Sequence, residues 1–134
     1  MRSIICVVAG FVVVMAVWLA GTAAATELIV EGGLFGAATG PRSELPPEYF
    51  AANLVMSAMG AMLGGWVTAR MAPAAEMAHV LALAVLIVLM SLPGLLGYGE
   101  SQADQPVWYI YSLPVLGVGA AILGGWLRSR VVVT

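Results

Sequence analysis

Glu76 and His79 stand three residues apart in "EMAHV", a spacing that sets a carboxylate and an imidazole on one face of a helix. Such a pair supplies ligands in di-metal helical bundles, where two copies and further Glu residues complete the site. Here one copy exists, and His79 is the single histidine. A metal centre and an axially ligated haem are therefore not expected. The lone cysteine, Cys6, has no histidine near it in sequence and cannot form an internal disulfide. The glycine-rich run 32–40, "GGLFGAATG", lacks the lysine of a phosphate-binding loop. No nucleophile–base pair emerges, so no catalytic, cofactor or metal residue is assigned and an enzyme is not expected. One polar residue stands out. Asn53 lies in an apolar stretch, where its amide either lines a polar pathway or hydrogen-bonds across to another helix.

The elements that carry these residues follow from composition. Of 134 residues, 62% are hydrophobic and 9% charged, against roughly 25% charged in a soluble domain. The surplus apolar surface must face lipid. A hydrocarbon core needs about 20 apolar residues in a helix. Four segments meet this length: 4–24, 49–69, 77–98 and 107–127. Backbone groups in lipid must bond within their own segment, so the spans are helices. The expected fold is an all-α, integral membrane four-helix bundle, one transmembrane domain over 1–134. The first segment has a rival reading: Arg2, an apolar core and "TAAAT" resemble a cleaved signal peptide, although such cores are typically about 7–15 residues.

Charge sets the expected orientation. The five basic residues are Arg2, Arg42, Arg70, Arg128 and Arg130. With both termini cytoplasmic, Arg42 alone falls outside, which satisfies the positive-inside bias. The acidic residues sort oppositely: Glu76 alone falls inside. Aromatics agree. Tyr49, Tyr98, Trp108 and Tyr109 gather at the outer ends, while Trp66 and Trp126 sit near the inner ends. Each inner Trp is followed four residues later by an arginine, Arg70 or Arg130. Trp66, Arg70, Trp108, Trp126 and Arg130 thus read as interfacial anchors. The bilayer is the expected environment. Nucleic acid is not an expected partner, because the arginines are few and interfacial.

The first outer loop, 25–47, is broken by glycines and prolines, and its "LIV" and "LF" are apolar enough to dip into the headgroup region. The inner connection around Met71–Ala75 is short and holds Pro73, which predicts a tight hairpin between spans two and three. Pro93 and Pro114 fall inside spans three and four and should kink them. The kinks either shape the bundle or open a cavity. Ser91 and Ser112, two residues before each proline, are placed to help the freed carbonyls.

The chain also repeats itself. "GAMLGGWVTAR" (60–70) is echoed sixty residues later by "AAILGGWLRSR" (120–130). Ser57, Ala61 and Gly65 align with Gly117, Ala121 and Gly125, while Gly60 and Gly64 align with Ala120 and Gly124. Residues four apart share a helix face, so spans two and four each carry a stripe of small residues. In lipid, such stripes drive association by letting backbones approach. They predict that spans two and four either pack side by side or present faces to a second copy. The match also makes the hairpins one–two and three–four candidates for a parallel repeat, with convergence on common membrane-helix residues as the alternative.

Two stretches, "EYFAANLVMSAMGAMLGGWVTAR" and "QPVWYIYSLPVLGVGAAILGGWLRSR", resemble the small four-helix inner-membrane proteins of bacteria. That resemblance implies fold and location and carries no active site. The chain lacks the first-helix Glu of small multidrug transporters and the third-helix Phe and Thr of fluoride channels. The reading that follows is a structural or accessory membrane protein that associates with itself or with another membrane protein. The alternative is a small oligomeric transporter or channel with a polar pathway at Asn53.

Overall fold

The structure, a computed structural model, describes residues 2–30, 33, 45–97 and 105–131. The described residues form four helices: α1 (Arg2–Ile29), α2 (Pro47–Met71), α3 (Glu76–Leu95) and α4 (Val107–Val131). Each is long and apolar enough to cross a membrane. The shortest, α3, has 20 residues, which at 1.5 Å per residue spans about 30 Å. The chain therefore reads as a multi-pass membrane protein.

Local sequence explains the helix ends. α1 runs past Ala24 to Ile29 because nothing in "ATELI" breaks a helix, and Thr26 turns its hydroxyl inward to the Thr22 carbonyl at 2.7 Å. α2 starts at Pro47, where the missing N–H removes no bond, and Tyr49 N–H donates to the Pro46 carbonyl at 3.0 Å. α4 begins likewise, Tyr109 N–H donating to the Pro106 carbonyl at 3.0 Å. α3 stops at Leu95, short of the expected 98, and Gly97 follows it at φ 71°, a left-handed position that glycine adopts freely. The α2–α3 turn is tight, as Pro73 predicts. Ala75 takes φ 48° there, which costs an L-residue roughly 1–2 kcal/mol. Tyr98, Arg42, Leu34 and Phe35 lie outside the described residues, as do most of both outer loops.

The helices form a four-cornered bundle in the order α1, α2, α4, α3. α1 packs closely on α2, α2 on α4 and α4 on α3; α1 meets α3 more lightly, and α2 and α3 touch across the short diagonal. One layer holds a residue from each helix: Val14, Ala61, Leu83 and Ala121. Outward, Val12, Val55, Val85 and Val115 are each more than half exposed, one per helix, as lipid-facing side chains should be. Arg2, Arg70, Arg128 and Arg130 all belong to the same end, because α1 runs antiparallel to α2 while α2 and α4 run parallel. We refer to it as the arginine end.

Pro93 and Pro114 fall toward the opposite end, clear of the Leu83–Ala121 layer. The serines do not serve the carbonyls that the prolines free, those of Leu89 and Ile110. Ser91 donates instead to the Ile87 carbonyl at 2.9 Å, and Ser112 to the Trp108 carbonyl at 2.6 Å. A serine hydroxyl on a helix reaches its own preceding turn. Two residues before a proline it is therefore in the wrong register to help.

Candidate functional site

The repeated glycines divide their work between neighbours. A Cβ at Gly60 would lie 3.0 Å from the Val14 carbonyl oxygen, and one at Gly64 would lie 2.7 Å from the Gly10 carbonyl oxygen. Both therefore face α1. Gly65 faces α4, where a Cβ would overlap the Ala121 carbonyl oxygen. Gly124 faces back to α2, where a Cβ would overlap the Met62 carbonyl oxygen. Gly125 and Gly117 face α3, meeting Val80 at 2.5 Å and Ile87 at 3.0 Å. Ala61 and Ala121 stand in the core layer, with Ala120 packed against it. Ser57 is half-buried on α2.

One geometric fact underlies this division. Consecutive helix residues differ by about 100°, close to the right angle at the corner of a four-cornered bundle. At each corner the first glycine of the pair faces the preceding helix, and the second faces the following one. Gly64–Gly65 thus joins α1 to α4 through α2, and Gly124–Gly125 joins α2 to α3 through α4. The repeat is one of corner and depth. A two-fold axis between α2 and α4 would set α1 and α3 on opposite sides of that pair, whereas here they touch each other.

Overlap with a carbonyl oxygen also means that the glycine Cα–H points at it. Gly65 toward Ala121 and Gly124 toward Met62 form a reciprocal pair of Cα–H···O contacts, a geometry with C···O near 3.3–3.6 Å. Gly10 does the same to Thr68 on α2, its Cα set against the threonine Oγ1. Thr68 is fully buried, and its hydroxyl has no conventional partner.

Asn53 is buried in the α1–α2 seam. Its Oδ1 accepts from Trp18 Nε1 at 2.9 Å and from Thr22 Oγ1 at 3.3 Å. Of the two uses open to the amide, the geometry shows the bond between helices. Trp18 and Thr22 are spaced four apart along one face of α1, which aims both at Asn53 on α2. Neither Trp18 nor Gly10 stood out in the sequence. A lone Trp and a lone Gly are ordinary in a membrane helix, and the informative signal was their spacing, with Gly10, Val14, Trp18 and Thr22 on one stripe.

At the arginine end, the Arg70 guanidinium lies 5.2 Å from the Trp66 ring centroid, and that of Arg130 lies 4.5 Å from the Trp126 ring. Each is a cation–π pair four residues apart on its helix. At the opposite end, Phe50 stacks edge-on with Tyr109 at 5.0 Å and with Trp108 at 6.3 Å, joining α2 to α4. The sixty-residue match reaches this far, to Pro46/Pro106 and Tyr49/Tyr109. Glu76 and His79 are not brought together with further ligands. His79 Nδ1 lies 3.1 Å from the Ala75 carbonyl oxygen, and no group of three His, Cys, Asp or Glu side chains gathers among the described residues. Cys6 is buried and points its thiol at the Ser3 carbonyl, 3.0 Å away. No protein-family model, no curated protein and no solved structure matches the chain.

Proposed function

We propose that the chain is a structural or accessory protein of the bacterial inner membrane that works by lateral association, with a second copy or with another membrane protein. Both termini lie on the cytoplasmic side in this reading. Four of the five arginines belong to one end of the bundle or its first turn, which supports the orientation.

The observation that carries the reading is where the glycines point. Those of the repeat lie against helices of the same chain, and Asn53 is held by Trp18 and Thr22. The repeat's glycines are used for contacts within the chain, which leaves the lipid-facing surface for interaction. Gly119 is the notch on that surface. Nothing lies within 4 Å of where its Cβ would stand. It sits between exposed Val115 and Leu123 on α4, so another helix could approach closely there.

Cysteine cross-linking in native membranes tests the reading. In a Cys6→Ser background, Val115→Cys and Gly119→Cys are expected to give a cross-linked species of discrete size, and Val12→Cys on α1 is expected to give much less. Monomer alone from Val115, Gly119, Val12, Val55 and Val85 positions would remove the basis for lateral association.

A further inference from the structure

The arginines at the arginine end are not equivalent. Arg70 and Arg130 are exposed and lie over Trp66 and Trp126. Arg128 is half-buried, and its Nε is fully buried with no hydrogen-bond partner among the described residues. Thr68 carries the other unpartnered buried atom, but its Oγ1 faces the Gly10 Cα.

Position explains the burial. Seven residues make two helical turns less about 20°. Arg128 follows Ala121, the α4 member of the central layer, by seven residues. It therefore continues the interior-facing stripe of α4 to the mouth of the bundle. An arginine stays protonated under any ordinary condition. A half-buried guanidinium whose Nε–H is unpaired is costly, and an anion beside its terminal nitrogens offsets that cost. Three further arginines, Arg2, Arg70 and Arg130, raise the positive potential of the same end. Glu76, seven residues before Leu83 on α3, is the acidic side chain placed toward that mouth and is the internal competitor for Arg128.

We infer that Arg128 marks a binding site for a phosphate group at the mouth of the bundle, the phosphate being that of an anionic phospholipid headgroup or free in solution. The guanidinium fork matches two phosphate oxygens, with its two terminal nitrogens donating side by side. Basic sites between membrane helices take lipid headgroups in this way. The inference rests on the multi-pass reading but not on lateral association. It concerns an interior-facing residue, whereas association concerns the outer face.

The test uses the full chain purified in mild non-ionic detergent. Native mass spectrometry is run with phosphatidylglycerol or phosphatidylcholine added, and with inorganic phosphate as competitor. Phosphatidylglycerol is expected to remain bound in preference to phosphatidylcholine. Arg128→Gln is expected to weaken it about tenfold, Arg70→Gln far less, and Glu76→Gln not at all or in the direction of tighter binding. Displacement by millimolar phosphate assigns the site to the phosphate group as such, and resistance to it assigns the site to the lipid headgroup; either outcome supports the inference. Should Arg128→Gln fail to fold, Arg128→Lys keeps the charge without the fork, and a several-fold loss is expected. The inference is overturned if wild type binds neither probe, or if binding is unchanged in the Arg128 variants. It is also overturned if Glu76→Gln restores the stability lost in Arg128→Gln while lipid binding follows neither, because Arg128 would then serve an internal ion pair.

Discussion

Gly65→Ala and Gly124→Ala are each expected to lower the stability of the folded bundle by about 2–4 kcal/mol. The magnitude comes from what the new methyl would strike. At both positions the obstacle is a backbone carbonyl oxygen on the facing helix, Ala121 for Gly65 and Met62 for Gly124. A carbonyl within a helix has no alternative rotamer. α2 and α4 must move apart, and that motion also stretches the reciprocal Cα–H···O contacts. Gly21 offers the contrast. A methyl there would meet Met56 Cβ, Cγ and Cε at 2.6 Å; the thioether end can swing away, but Cβ is fixed by its backbone. Gly21→Ala should therefore cost less than Gly65→Ala but more than Gly119→Ala. Gly119→Ala should be neutral or slightly stabilising, because the space is open and alanine is the better helix former by about 1 kcal/mol. Unfolding in micelles, followed by circular dichroism or steric trapping, measures all four variants. If Gly65→Ala and Gly119→Ala prove indistinguishable, the α2–α4 contact is not the close approach described.

This ordering of glycines shows what the sequence could convey. Hydropathy alone locates the four spans, because the bilayer admits so few solutions for a polar backbone. Small-residue spacing marks spans two and four as packing helices. It does not say which neighbour each residue meets. Gly64 and Gly65 are adjacent in sequence, yet they face α1 and α4 respectively. A linear stripe drawn through Ser57, Ala61 and Gly65 hides that the adjacent Gly64 turns a corner. The partner choice depends on how four rods close around a core, and that is set by long-range packing rather than by any local pattern. The prolines show the same limit. Ser91 and Ser112 look well placed in sequence, but helix geometry sends each hydroxyl to a carbonyl that the proline has not freed. Asn53 could be singled out as the polar residue of span two. Its partner could not, since Trp18 resembles any interfacial tryptophan until α1 is laid against α2.

The Trp18–Asn53 bond yields the second large effect. Asn53→Leu keeps roughly the volume and removes the acceptor, and it is expected to cost about 1–2 kcal/mol. The loss falls mainly on the indole. Thr22 also donates to Asn53, but a helix threonine can turn its hydroxyl to its own preceding turn, as Thr26 does toward Thr22. The indole N–H of Trp18 has no such alternative on its own helix and is left orphaned in an apolar seam. Trp18→Phe removes the donor while keeping an aromatic ring. Replacing both members should then cost less than the sum of the single changes, because neither leaves the other unpaired. A double-mutant cycle on Trp18→Phe and Asn53→Leu, read by the same unfolding measurement, is expected to return a coupling of about 1 kcal/mol. Strict additivity would mean that the seam is held by shape alone. In that case the Asn53 amide would be free for a second occupant, and lateral association would have to be abandoned in favour of a pathway between α1 and α2.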